Sequence, residues 1–301
     1  MINYIHWNID PVIFNLFGFS LRYYGVLFFG GLLICIYILN GIFKKEKIPL
    51  VYLDKLWVYG VIGIFAGARL GHCFFYEPAY FWNHPLEIIL PIQPSLGGGY
   101  EFSGFQGLAS HGGAIGLILA LLLYSKKTKE PIVKTLDLIA IVAPLGGGFI
   151  RIGNLMNSEI IGIPTTVPWA FVFDRVDKLP RHPAQLYEAI IYFMIFGLMF
   201  YLYQTKRENL HNGFFFGLVI TLIFVARFFI ELIKEKQVPF EEQMKLDMGQ
   251  LLSIPFIMVG IAFIIFGLIK TKEAKPKFSQ VTLVGIMTLS YLPYLSLIVL
   301  F

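Results

Sequence analysis

The chain has 301 residues, 57% of them hydrophobic and only 14% charged, with a mean hydropathy of +0.71. That apolar share exceeds what a soluble domain carries and places the protein in the membrane class. The formal charge of +5 is small and dispersed over short loops, which argues against a nucleic-acid partner and leaves anionic lipid as the electrostatic one.

Met1 to Asp10 contains no Lys or Arg, so the charged start of a removable signal peptide is missing and the first apolar stretch is expected to stay as an anchor. Apolar windows near the ~20 residues needed to cross the hydrocarbon recur at 19–42, 56–76, 108–124, 134–150, 184–204, 213–233, 250–269 and 280–300. The expectation is an all-α polytopic integral membrane protein, one domain over 1–301, with seven to eight transmembrane helices. Residues 77–110, rich in Pro, Gly and aromatics, read as an external loop. In 163–183, Pro164, Pro168 and Pro180 alternate with Trp169, Phe171 and Phe173, the pattern of a small external hairpin or cap. Residues 280–301 read as an extra C-terminal span.

Positive residues bias a loop toward the cytoplasm. Lys44, Lys45, Lys47 and Lys55 mark the first loop, Lys126, Lys127, Lys129 and Lys134 the third, Lys206 and Arg207 the fifth, and Lys270, Lys272, Lys275 and Lys277 the seventh. The segment from Glu77 to Ser110 has no Lys or Arg, which sets it and the N-terminus outside.

With that orientation the unusual polar residues of the spans gather at their outer ends: Arg22 and Tyr24, Arg69 and His72, His111, Arg151 and Asn154, Gln185 and Glu188, Arg227 and Glu231. A charge near the bilayer centre costs roughly 2.5–3.5 kcal/mol on the lenient insertion scale, so such groups face a polar cavity, a partner or a substrate. Arg151 and Asn154 are three apart and share a helix side, and the glycines around them hold the backbone open to a close ligand. Arginine presents a planar fork of donors suited to phosphate oxygens. Arg227 and Glu231 have the spacing of an intrahelical pair, in which Glu231 would position Arg227 as a second cation, and Arg69 is a candidate third, with a pairing to an external carboxylate as its equal alternative. His111, beside Gly112 and Gly113 at the water end of a span, has the side chain best matched to accept a proton near neutrality. Tyr24 belongs by default to the aromatic belt, though its hydroxyl can bond a phosphate or glycerol oxygen.

No histidine or cysteine set has metal-ligand spacing, Cys35 and Cys73 read as apolar packing, and no Gly-x-Ser-x-Gly elbow occurs. No metal or cofactor is expected. Any nucleophile then comes from a second substrate, and an anionic phospholipid headgroup is the ligand that suits an arginine-rich cavity open to the outer leaflet.

The run Ile150-Arg151-Ile152-Gly153-Asn154-Leu155-Met156-Asn157-Ser158-Glu159-Ile160-Ile161-Gly162 resembles the signature of the bacterial prolipoprotein diacylglyceryl transferases, with Ile150 for a Gly and Leu155 for a Phe. Tyr23-Tyr24-Gly25, Ser110-His111-Gly112-Gly113, the run from Arg181 to Glu188, the run from Arg227 to Glu231 and the run from Met248 to Ser253 match the family in order. Lys234 stands where many members have an arginine, and members usually have seven spans.

The resemblance implies transfer of the diacylglyceryl group of phosphatidylglycerol to the thiol of the lipobox cysteine in a prolipoprotein signal peptide, with release of glycerol phosphate. It implies a multi-pass protein of the bacterial cytoplasmic (inner) membrane with its site toward the outer leaflet. In that reading His111 is the base for the thiol, Arg151 and Arg227 clamp the phosphate with Gly162 beside it, and Tyr24, Asn154, Glu159 and Glu231 orient them. Two rivals are a lipid-binding or transport protein, against which the absence of inverted repeats counts, and a phospholipase-like hydrolase, against which the lack of a nucleophile or metal dyad counts.

Overall fold

A computed structural model describes residues 4–16, 19–90, 92–94, 99–102, 107–236, 244 and 246–268. The expected eighth span at 280–301 lies outside the described residues, as do parts of the external loop 77–110. Among the described residues six helices are long and apolar enough to cross a membrane, and the protein is an integral membrane protein. The chain divides into two compact units, one of Met1–Ile42 with Val133–Lys272 and the other built on Phe43–Ile132.

The first unit opens with strands β1 (Ile5–Trp7), β2 (Val12–Leu16) and β3 (Phe19–Arg22) and then helix α1 (Tyr23–Lys45). The first span starts at Tyr23 and not near residue 19 because β3 pairs antiparallel with β2, Val12 against Arg22. The second unit follows with α2 (Leu50–Phe75), the short α3 (Pro78–Asn83) and α4 (Leu86–Ile89), the hairpin of β4 (Ile92–Pro94) and β5 (Tyr100–Phe102), and α5 (Ser110–Thr128). The chain then returns to the first unit with α6 (Ile132–Asn157), β6 (Phe171–Phe173), β7 (Pro180–Arg181), α7 (Ala184–Lys206), α8 (Phe214–Glu231) and α9 (Met248–Leu268).

In the second unit α2 and α5 pack backbone to backbone. Gly63, Gly67 and Gly71 recur every fourth residue on α2, and a Cβ on Gly71 would come within 2.7 Å of the Gly112 Cα. A Cβ on Gly67 would meet the Gly112 carbonyl oxygen, and one on Gly116 the Gly63 carbonyl oxygen. Small residues at this spacing replace the hydrophobic drive that lipid removes from helix association. Although the sequence pattern counts α5 as the third span, it is not one of the six. Its N-terminal Ser-His-Gly-Gly and C-terminal Lys126 and Lys127 lower the mean hydropathy of this 19-residue helix. Arg69, a candidate headgroup cation, is instead buried in this unit: it donates to the carbonyl oxygens of Ile88 at 3.3 Å, Gly107 at 3.4 Å and Glu87, and stacks over Phe81. Its donors tie α2 to Glu87, Ile88 and Gly107 of the segment that joins α2 to α5.

In the first unit the glycines of α6 let aromatic rings lie on the backbone. A Cβ on Gly153 would stand 2.8 Å from the Tyr24 ring, one on Gly31 of α1 2.7 Å from Phe149, and one on Gly147 3.0 Å from Tyr192 of α7. Asp137, wholly buried inside a span, is accounted for by the start of α8, where it accepts from the Gly213 and Phe216 amides at 2.8 Å each. It caps an amide end that lipid could not solvate.

Within 163–183 the chain forms a short hairpin that belongs to a three-stranded sheet. The β6–β7 hairpin pairs Phe171 with Arg181, and β1 adds in parallel on the other side of β6, Ile5 against Phe171. Its inner face buries Phe171 and Phe173 with Leu155 and Ile161, against Trp7 and Leu186. The Trp7 indole donates to the Leu155 carbonyl at 3.0 Å, fastening the cap to the end of α6.

Candidate active site

Arg151 and Asn154 occupy the last two turns of α6, three residues apart on one side, and the helix ends at Asn157. Beyond it Ser158 and Ile160 take left-handed backbone at φ +56° and +59°. For a β-branched residue this is a strained conformation, of order 1–3 kcal/mol, held by the surroundings. The turn throws Glu159 back toward the helix, where its carboxylate accepts from Asn154 Nδ2 at 2.7 Å and Asn157 Nδ2 at 3.2 Å. The wholly buried Gln185 of α7 donates its side-chain amide to the Glu159 carbonyl and locks the turn from behind.

Arg151 is held on two sides. Its Nη1 donates to Asn154 Oδ1 at 3.3 Å, so that Arg151, Asn154 and Glu159 form a chain. Its Nε lies 2.8 Å from Glu188 Oε2, and Glu188, one turn beyond Gln185 on α7, has no exposed surface. The other Glu188 oxygen is 2.8 Å from Lys234 Nζ, which also reaches Glu231 Oε2 at 3.4 Å. This differs from the intrahelical pairing that the spacing suggests: Glu231 pairs with Lys234, three residues on, and among the described residues no carboxylate pairs with Arg227. Arg227 lies near enough to Tyr192, as Arg151 does, for both guanidinium charges to act on that phenol. The Glu231 carboxylate rests against Gly249 at the start of α9, where a Cβ would collide with it.

Gly162 sits where three segments meet. Its amide donates to the His182 carbonyl at 2.9 Å, its carbonyl accepts from Arg181 Nη1 at 3.1 Å, and its backbone bridges Lys234. Arg181 also pairs with Asp177 at 2.6 Å and Glu235 at 3.1 Å, and the hydrogen bond from Arg181 holds the Asp177 carboxyl below the usual range. His182, with Nδ1 3.2 Å from the Tyr187 hydroxyl, has its pKa lowered by burial.

The residues singled out in the sequence thus divide by unit. Tyr24, Arg151, Asn154, Glu159, Gly162, Arg227 and Glu231 belong to the first, and the Tyr24 hydroxyl makes no hydrogen bond among the described residues. His111 stands half-buried in the first turn of α5 in the second unit. The geometry adds Glu188, Lys234 and Gln185, which motif matching touched without assigning a role. Total burial of a carboxylate, invisible in a motif, is what distinguishes Glu188.

Comparison with known proteins agrees with this geometry. The family model described as prolipoprotein diacylglyceryl transferase matches residues 11–266. A relative from Bacteroides fragilis named phosphatidylglycerol–prolipoprotein diacylglyceryl transferase is 53% identical over 262 residues, which cover 87% of this chain and 95% of the relative. Proteins of the same name from Chloroherpeton thalassium and Porphyromonas gingivalis are 43% and 42% identical, each match covering 87% of this chain and 94% of the relative. With the family model matched over most of its length, and with the signature arginine, asparagine and glutamate joined in one hydrogen-bonded chain, this protein belongs to the prolipoprotein diacylglyceryl transferase family.

Proposed function

We propose that the protein transfers the diacylglyceryl group of phosphatidylglycerol to the lipobox cysteine of a prolipoprotein, releasing glycerol phosphate. The single observation that carries this reading is the contrast between its two inner arginines. Arg151 is held rigidly by Glu188 and Asn154, while Arg227, near the same Tyr192 phenol, has no carboxylate partner among the described residues. A held guanidinium and an unpaired one make a site for a group that gains negative charge during reaction.

The peptide thiolate attacks the glyceryl carbon bonded to phosphate oxygen. The carbon–sulfur bond forms as the carbon–oxygen bond breaks, and the electron pair departs on the phosphate, whose charge Arg151 and Arg227 stabilise. The thiol proton goes to a base, for which His111 is the candidate, since a neutral imidazole can accept a proton and an arginine is not a base at neutral pH. Asn154 and Glu159 orient Arg151, Glu231 acts through Lys234, Gly162 lets the signature turn close against His182 and Ile233 beside the phosphate, and the Tyr24 hydroxyl offers a hydrogen bond to a headgroup oxygen. The protein then works in the bacterial cytoplasmic membrane with its site toward the outer leaflet, where the positive loops of the opposite side leave it. The reaction as written needs no metal or cofactor.

The test is purified full-length protein in phosphatidylglycerol micelles with a lipobox peptide, followed by peptide mass and glycerol phosphate release. Wild type should add a diacylglyceryl mass, with Arg151→Ala, Arg227→Ala and His111→Gln each losing roughly 100-fold or more. Free diacylglycerol or phosphatidic acid without peptide modification supports the hydrolase instead, and lipid binding without turnover the binding protein.

A further inference from the structure

Resting on the reading of Arg151 as a headgroup cation, we infer that Glu188 is a positioning residue for the reaction and that Lys234 acts through it. The carboxylate is wholly buried, and each of its oxygens faces a cation, Arg151 Nε at 2.8 Å and Lys234 Nζ at 2.8 Å. The buried carboxylate anchors the guanidinium by charge at its Nε side, and the Nη groups lie beyond that contact. One Nη N–H reaches Asn154, the Tyr192 phenol is a second partner of the same guanidinium, and its remaining donors serve phosphate oxygens. An arginine held only by Asn154 would keep its charge and lose its aim.

Lys234 explains how the carboxylate itself stays put. A compact ammonium with three donors serves two carboxylates at once, and here it spans Glu188 of α7 and Glu231 at the end of α8. Its backbone is bridged to Gly162, with Ile163 donating to the Ile233 carbonyl at 2.9 Å and Glu235 to the Ile161 carbonyl at 3.1 Å. One residue therefore ties the α6 signature turn, the α7 carboxylate and the end of α8 into a single register. Lys234 thus serves here through charge and reach, without need of a flat fork facing the substrate.

The pair could instead be a plain structural pin between helices, and kinetics separate the two roles. Initial rates are measured for the full chain as functions of phosphatidylglycerol mole fraction and of peptide concentration, with thermal unfolding in detergent alongside. Glu188→Gln is expected to lower kcat/KM for phosphatidylglycerol by about 100-fold, the scale of an angstrom of misplacement, with the KM for peptide held within about twofold. Lys234→Met should lower it by about tenfold alone and by less than about twofold in the Glu188→Gln background, because both act along one path. Lys234→Arg should recover most of what Lys234→Met loses.

A folded Glu188→Gln within about threefold of an active wild type overturns the inference, as do equal losses on lipid and peptide or independent losses at the two positions. Should Glu188→Gln fail to elute as a folded protein, the Lys234 pair decides: a Lys234→Met variant as active as wild type overturns it. A wild type that leaves the peptide unmodified sinks the transferase reading first, and this inference with it.

Discussion

The Cβ and the carbonyl oxygen of His182 both stand 2.6 Å from the point a Cβ on Gly162 would occupy, and that same carbonyl accepts the Gly162 amide at 2.9 Å. The Ile233 carbonyl crowds the same point at 2.7 Å. All three contacts involve backbone or its first carbon, so no side chain can swing aside. Gly162→Ala must push the signature turn off the α7 entry and the end of α8 together. Transfer activity should fall at least about tenfold with a destabilisation of about 1–3 kcal/mol, read by parallel rate and thermal-unfolding measurements in detergent.

The two arginines should respond differently to lysine. At position 151 an ammonium can satisfy Glu188 or a phosphate but not both in the planar geometry that Nε and Nη share, so Arg151→Lys should be nearly as inactive as Arg151→Ala. At 227, with no carboxylate partner among the described residues, a point charge suffices to meet an anion. Arg227→Lys should therefore retain at least about ten times the activity of Arg227→Ala. Equal retention at both positions would contradict the assigned geometry.

His182 gives the cap a pH dependence with a definite sign. Burial lowers its folded pKa below the ordinary value of 6.5, so the folded state favours the neutral ring. The resulting stability is fully present above pH 6.5 and is lost as pH falls below that value toward the folded pKa. Thermal unfolding between pH 8 and pH 5 should show a decline on the acid side that His182→Gln flattens. A decline of unchanged size in the variant would assign it to other groups.

The α2–α5 contact predicts a failure of helix packing. A Cβ on Gly112 would overlap the Gly67 carbonyl oxygen and lie 2.8 Å from the Gly71 Cα. Gly112→Val should cost about 1–3 kcal/mol or more and shift the unfolding midpoint downward, whereas Gly60→Ala on α2, which meets nothing within 4 Å, should not.

Much of this was legible in the residues because lipid makes polar groups conspicuous. Arg151, Asn154, Glu159 and Gly162 stand out by depth and spacing, and each long helix falls on an apolar window, although β3 delays the first to Tyr23, α2 begins at Leu50 ahead of its window and α6 runs on to Asn157 beyond its own. What spacing could not yield was partnership. Arg227 and Glu231 have the spacing of a pair, yet the next turn supplies Lys234, and a buried Glu188 competes for both neighbouring cations. Arg69 is open in the sequence between a clamp role and a structural pairing, and the structure shows its donors on the carbonyls of Glu87, Ile88 and Gly107. Strand β1 was missed altogether, since three residues near a terminus carry no periodicity and its partner lies far along the chain.

That distance has a bearing on how the molecule is made. His6 of β1 and Asp174 beyond β6 touch across 168 residues of chain, and Trp7 reaches Leu155 across 148. The outer wall over the end of α6 therefore closes only after more than half of the polypeptide has been synthesised, and until then the arginine-bearing helix end stays uncovered. Contacts of such long sequence separation form slowly. A protein fused directly before β1 is consequently placed to interfere with maturation of the enzyme while leaving its membrane insertion intact.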